Sequence, residues 1–329
     1  MTPIEIRNGS LSASVLPMGA TIVALRLMMD EGPRHLTLGF PDSGAYPDRS
    51  PHFGAIAGRY ANRIRDGRFT LDGRTCQLSC NQAGRHHLHG GVRGFAKRLW
   101  TVREVTPDSI SLHYRSLDGE EGYPGTLDAF CTYRLIEEAT LEVVLTAETD
   151  RPTIVNLVHH SYFNLDGSGT ISPSRLKIDA AHYVPVDADY IPTGGIAPVA
   201  DTVFDFREMR SIAAPGAAPF PYDHCFLLDR GKVDADGLAR AARLEAAAGD
   251  LAMEVRTTEP ALHFYAGHKI ATTDPGHHGV PYPAFSGLCL EPQLPPDSPN
   301  RPEFGDPVLR PGERYCQISR FRFIRLPLQ

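Results

Sequence analysis

The sequence predicts an all-β chain, folded as a sandwich or a barrel, and three observations predict it. Short runs alternate apolar with polar residues. Turn-forming Gly, Pro, Asn and Asp separate those runs. No strand–helix–strand alternation and no internal repeat interrupts the series.

The first clear hairpin joins residues 68–71 to residues 75–78 through Asp72-Gly73, a dipeptide suited to the left-handed backbone of a tight turn. Residues 109–114 alternate. Residues 130–136 and 140–146 make a second hairpin around Glu137-Glu138-Ala139. Residues 156–165, read as a strand, put Asn156, Val158, His160, Tyr162 and Asn164 on one face. Leu157, His159, Ser161, Phe163 and Leu165 take the other, which suits a packed core. Residues 175–178, 225–228, 251–256, 262–265, 288–290 and 314–323 read as further strands. The turn-rich residues 187–221 read as a long surface excursion. Residues 237–248 dissent: they are rich in Ala, Leu and Arg, and propensity alone makes them a helix capped by Asp236 and Gly249.

A chain of 329 residues leaves one or two domains open and is long enough for a substantial core. Its 42% hydrophobic content is that of a globular protein, and its net charge of -6 argues against nucleic acid or an anionic membrane as partner. Residues 1–7 lack the basic start and apolar run of a secretory signal, and no run approaches the roughly 20 apolar residues of a membrane span. A cytoplasmic location is the expectation. The 6 cysteines are scattered without a C-x-x-C pair, so they predict reduced, mostly buried thiols rather than a zinc ribbon or a disulfide scaffold.

Six segments carry candidate chemistry. His160 sits on a face too polar for a core and too aromatic for ordinary solvent, beside Tyr162. Its side chain titrates near neutrality, so it is a candidate proton donor or a satisfied structural histidine. Residues 53–64 place glycines before Asn62 and Arg63, which a bulge or turn would aim at one ligand. Taken alone, the segment reads as a surface turn with solvated arginines. His86-His87-Leu88-His89-Gly90-Gly91 invites a metal, but no H-E-x-x-H or paired cysteine completes a zinc site. A ligand loop is the better reading, with His89 donating to a hydroxyl and His86 and His87 in an exposed turn. Asp223 enters an apolar strand as an acceptor for two hydroxyls or as a turn aspartate. His263 and Tyr265 share a face that is either a cleft or a solvated edge. Glu291 ends an apolar strand and is extended by Pro292. Such a glutamate is either paired with an arginine or raised in pKa as a usable base.

In series these segments resemble the aldose 1-epimerase family, the galactose mutarotases. The matching elements run in family order: G-R-x-A-N-R-I at 58–64, L-H-G-G-x-x-G-F at 88–95, V-N-L-x-x-H-S-Y-F-N-L at 155–165, Y-D-H at 222–224, T-T-x-P-x-x-x-F-Y at 257–265 and C-L-E at 289–291. The resemblance implies one large antiparallel β-sandwich over 1–329, of the galactose mutarotase-like supersandwich type, with an open cleft. It also implies that residues 239–244 and 251–257 are paired strands, which overrides the helix. The implied reaction interconverts the α and β anomers of a free aldose, with Glu291 as base and His160 as acid. Asn62, Arg63, His89, Tyr162, Asp223 and His263 would hold the sugar. No metal or other cofactor is implied. The expected partner is a monosaccharide, taken by a monomer or a homodimer.

Three positions depart from the family. His263 stands where glutamine is usual, Cys225 where asparagine is usual, and Pro292-Gln293-Leu294-Pro295-Pro296-Asp297 lacks the usual tryptophan. The sugar therefore stays open among galactose, glucose, xylose and L-arabinose. A non-catalytic sugar-binding protein and a sugar-phosphate 1-epimerase on the same fold are the competing readings. A metal-dependent hydrolase built on residues 86–89 is a distant one.

Overall fold

A computed structural model describes residues 1–137, 139–214, 216–217 and 219–327. Among them the regular elements are strands and short 3-10 turns. Three sheets dominate, all antiparallel. The largest runs, in spatial order, Thr101–Val105, Ser109–Ser116, Leu127–Ile136, Thr140–Thr149, Tyr315–Arg325, Leu251–Thr257, Ala239–Glu245, Arg175–Ile178 and Arg210–Ser211. Its central strands alternate cleanly. Leu127, Ala129, Cys131, Tyr133 and Leu135 are buried, and the residues between them are not. Burying a Leu, Val or Phe side chain contributes about 1.5–3 kcal/mol, so a one-residue slip would turn the whole stabilising row to solvent.

Two smaller sheets share this core. Ile4–Asn8, Leu11–Leu16, Thr21–Met29 and Gly32–His35 form one. Ala197–Pro198, His182–Val184, Asp223–Leu227, Ala261–Tyr265 and Cys289–Gln293 form the other, in that order. Ile22 and Leu25 of the first, Phe226 and Phe264 of the second, and Tyr133 and Phe321 of the large sheet belong to one apolar cluster. The architecture is an antiparallel β-sandwich.

Both hairpins form. Asp72 (φ 47°) and Gly73 (φ 76°) turn Arg68–Leu71 into Arg74–Gln77. The second hairpin is longer than expected, Leu127–Ile136 against Thr140–Thr149, and Glu138 of its turn lies outside the described residues. The segment with helical propensity is the strand Ala239–Glu245, paired with Leu251–Thr257. Ala241, Ala242 and Leu244 are buried there, and Gly249 (φ 73°) makes the turn. Completing the large sheet outweighs an intrinsic preference of a few tenths of a kcal/mol per residue. Within 187–221, Ile191, Val199, Phe206 and Ile212 anchor the excursion, while Pro215 and Ala218 lie outside the described residues.

The cysteine expectation holds in part. All six are free thiols, but Cys316 is exposed and Cys76 and Cys80 are half-buried. Among the described residues no helix is long and apolar enough to cross a membrane.

Candidate active site

Three adjacent strands of the five-stranded sheet present one polar face. The register sets Asp223 opposite Tyr265 and Tyr265 opposite Cys289; one row along, it sets Cys225 opposite His263 and His263 opposite Glu291. Directly paired residues share a face, so these six side chains project together. Phe226, Leu262, Phe264 and Leu290 project the other way, into the core. Glu291 lies inside the strand Cys289–Gln293, not at the end of one as expected. This strand is the edge of its sheet, where the missing N–H of Pro292 is tolerated.

His160 comes from the strand Val158–His160, which pairs with Ala55–Ala57. Regular pairing covers only those three residues of 156–165, yet the alternation of faces persists. His159 turns into the core, its Nδ1 3.3 Å from the Tyr133 hydroxyl. Tyr162 stacks on His160 with ring centroids 5.1 Å apart, and its hydroxyl donates to the Pro51 carbonyl at 3.0 Å. Asn156 and Asn164 do not join the cleft. Their amides donate to the carbonyls of Ala61 (3.3 Å) and Ser286 (2.8 Å), and both residues are buried.

Two loops complete the site. Asn62 (φ 62°) and His89 (φ 50°) both hold the left-handed conformation that disfavours side chains. They lock one another: Asn62 N donates to His89 Nδ1 at 3.2 Å, and His89 N donates to the Asn62 carbonyl at 3.1 Å. Because Nδ1 accepts, the neutral ring carries its proton on Nε2. The twist at Asn62 lets it and Arg63, adjacent in sequence, serve one cleft. Gly90 (φ 85°) follows, and a Cβ there would collide with the Gly58 carbonyl.

All eight expected residues line one cavity of about 180 Å³: Asn62, Arg63, His89, His160, Tyr162, Asp223, His263 and Glu291. Glu291 Oε2 lies 3.6 Å from His160 Nε2 and has no hydrogen-bond partner, although Glu291 is only 1% exposed. Among the described residues no arginine forms an ion pair with it. Burial pushes its carboxyl well above the usual carboxylate range; the Asp223 carboxylate adds to the rise and Arg63 opposes it. Burial also holds His160 well below its ordinary value, with His52 adding to the drop. In the free cleft the pair therefore favours its uncharged form, one proton held between two groups.

Asp223 is the opposite case. Arg63 grips it with two contacts, Nη2 to Oδ2 at 3.1 Å and Nη1 to Oδ1 at 3.3 Å. His263 Nε2 lies 2.8 Å from Oδ1, and Lys269 Nζ stands 3.7 Å from Oδ2. Burial alone would raise this carboxyl, but Arg63 and His263 pull it well below the usual range.

The sequence reading missed His52, Tyr265 and Lys269 as lining residues. His52 packs 5.8 Å from His160 and 5.0 Å from His89, ring centre to ring centre. Lys269 lies 4.0 Å over the Tyr190 ring at the rim. Tyr265 had a signal, the shared face with His263; the other two lie in turns, with no periodicity to expose them.

Two expectations are corrected. The arginines of residues 58–64 are not solvated, since Arg59 and Arg63 are 1% and 5% exposed. Arg59 donates to Ser116 Oγ (2.9 Å) and to the carbonyls of Ser116 (3.0 Å), Leu117 (2.8 Å), Pro124 (3.1 Å) and Gly125 (2.8 Å). His86 and His87 are not in an exposed turn either. His86 Nδ1 accepts from Asp66 N at 3.0 Å, and His87 bridges the Ser79 carbonyl (2.7 Å) and the Tyr123 hydroxyl (2.5 Å). Both ring nitrogens of His87 and Nδ1 of His86 are thus held by structure, and His86 Nε2 lies 3.5 Å from Asp189 Oδ2.

A wider depression of about 580 Å³ opens beside Arg207, Arg240 and Arg256. Its arginines are engaged by surface carboxylates, as Arg240 is by Asp179 at 3.2 Å and Arg207 by Asp205 at 2.7 Å.

Residues 3–322 match the family model described as aldose 1-epimerase. The chain is 38% identical to an aldose 1-epimerase of Escherichia coli (strain K12), over 96% of this chain and 93% of that protein. It is 40% identical to a galactose mutarotase of Mus musculus, over 97% and 93%. Among solved structures, an aldose epimerase homologue from C. elegans superposes with a TM-score of 0.91 at 31% identity, covering 99% of each chain. A galactose 1-epimerase from Lactobacillus acidophilus gives 0.84 at 29%, covering 98% of this chain and 94% of the other.

Proposed function

The chain belongs to the aldose 1-epimerase family, and on that premise we propose that it is a mutarotase, interconverting the α and β anomers of a free aldose. The observation that carries the reading is the His160–Glu291 pair, 3.6 Å apart at the floor of a polar cleft, with one carboxylate oxygen unpartnered.

The reaction starts from the charged form of the pair. The Glu291 carboxylate takes the proton of the anomeric hydroxyl. His160 gives its proton to the ring oxygen as the C1–O5 bond breaks and C1=O1 forms. The open aldehyde rotates about C1–C2 and re-closes on its other face, with both transfers reversed. Ring opening leaves Glu291 protonated and His160 neutral, the form that burial favours. Desolvation thus pulls the pair in the ring-opening direction, and each general acid or base step contributes typically 10²–10⁴-fold. Asp223 acts by holding Arg63 and His263 in place, while Asn62, His89 and Tyr162 face the sugar.

The test is polarimetry of freshly dissolved α-D-glucose, α-D-galactose, α-D-xylose and L-arabinose. Faster decay of rotation than in buffer is expected for at least one, and the ranking identifies the substrate. Lys269 beside Arg63 at the rim favours a second reading, a phosphorylated sugar. Glucose 6-phosphate belongs in the same panel, and acceleration of it alone would replace the first reading with the second.

His263→Gln is expected to change the ratio of kcat/KM between two sugars by about tenfold, the equivalent of one ~1.4 kcal/mol interaction. Maximal rate should change less. An unaltered preference profile would remove His263 from specificity.

A further inference from the structure

Three buried donors of different chemistry converge at the base of the cleft: His160 and Glu291 line it, and Cys289 lies beneath them. One ligand atom each from His160, Cys289 and Glu291 lies within 4.8 Å of the others. Cys289 and Glu291 are two residues apart in one strand, so the pleat puts them on one face. His160 reaches them from the neighbouring strand, with Nδ1 3.5 Å from Cys289 Sγ. Cys289 is 0% exposed, and Glu291 Oε2 has no partner. The proton transfers use the carboxylate and the imidazole. Nothing in them uses the thiol.

We propose that His160, Cys289 and Glu291 form an inhibitory binding site for a thiophilic divalent cation, Zn²⁺ or Cd²⁺, with the fourth coordination position open to water. Zinc takes mixed ligands at about 2.3 Å to sulfur and about 2.0–2.2 Å to nitrogen or oxygen in a tetrahedron, which sets ligand atoms about 3.3–3.6 Å apart. The 3.5 Å nitrogen–sulfur separation already has that size. From 4.8 Å the most distant pair closes by about 1.5 Å at most, within the reach of a glutamate side chain. Magnesium and calcium do not fit, because they call for six or more oxygen ligands and the cleft floor offers one carboxylate beside two softer donors. On binding, the Cys289 thiol gives its proton to solvent and the sulfur lone pair to the cation; no electron is transferred. A cation held at Nδ1 leaves Nε2 free but takes the Glu291 carboxylate, so it removes the base and competes with sugar. The inhibition rests on the proposed mutarotase chemistry; the binding does not.

The experiment is calorimetric titration of the metal-stripped full chain with ZnCl₂, beside Cys289→Ser. A single site per chain is expected in the wild type, weakened at least ~10-fold in the variant, since loss of even an outer-shell partner of a metal site typically costs 10–100-fold. Equal affinity in both proteins would overturn the proposal and assign the metal elsewhere, for instance to exposed Cys316. So would the absence of binding. CdCl₂ supplies a second readout on the wild type alone, which covers failure of the variant to fold. A thiolate-to-metal ultraviolet band at one Cd²⁺ per chain supports the site, and the absence of such a band refutes it. In the mutarotation assay each protein is compared with itself, with and without Zn²⁺, and only the wild type should be inhibited. If Zn²⁺ binding depends on Cys289 while no sugar is turned over, the metal site stands and the mutarotase reading falls.

Discussion

Glu291→Gln is expected to lower turnover by at least about 10²–10⁴-fold and to leave the fold intact or more stable. Glutamine keeps the shape of the carboxyl but cannot take the anomeric proton. The stability effect follows from the direction of the pKa shift. The folded carboxyl is raised well above its ordinary value of 4.5. An unfolded chain therefore releases this proton earlier than the folded one, and the fold loses stability as pH rises above about 4.5. Glutamine has no proton to hold, so the variant should unfold at a temperature equal to or above that of the wild type near neutral pH. Polarimetry and thermal unfolding on one preparation check both halves. Near-normal turnover would mean that the proton acceptor is another group in the cleft.

Arg63→Met is expected to destabilise the protein by about 3–5 kcal/mol, the usual result of stripping one partner from a buried pair. Both side chains are 7% exposed, so solvent screens the remaining charge poorly. His263 and the rim ammonium of Lys269 would be left to hold the Asp223 carboxylate. The acid limb should change as well. A depressed carboxyl stabilises the fold above its unfolded pKa, about 3.9, and that contribution is lost as pH falls through the folded value. With Arg63 gone, wild type and variant should converge in acid and differ most near neutrality. Urea unfolding at several pH values measures this. An Arg63→Met/Asp223→Asn double variant should recover part of the loss, because it leaves no orphaned charge. A single variant as stable as the wild type would show that the pair contributes nothing to the fold.

What the sequence revealed follows physical lines. Asp72-Gly73 announces its hairpin because few residues adopt the required backbone. The strand Leu127–Ile136 announces itself by alternation. The opening four-stranded sheet was missed: Leu11, Ala13 and Val15 alternate only with the small Ser12 and Ser14, which are buried as well, and the neighbouring Thr21–Met29 shows no period of two. In the cleft, residues on strands or in motifs were legible, as His160, His263 and Glu291 show. His52 and Lys269 were not, because turns bring them to the cleft through tertiary structure alone. His86 and His87 misled for a related reason: a run of polar residues looks exposed until its hydrogen-bond partners, Asp66 and Tyr123, are known.

The guanidinium of Arg59 has a consequence for motion. Its five donors end on one side chain and four carbonyls between Ser116 and Gly125, and none of the acceptors is a carboxylate. A surface loop ordinarily opens on its own, but this one is tied to the segment that carries Asn62 and Arg63. The amides of Gly119, Tyr123 and Gly125, all hydrogen-bonded, should therefore exchange with deuterium only when the core opens, not by local fraying. Arg59→Lys keeps the charge but not the fork of donors, and in that variant the same amides should exchange early.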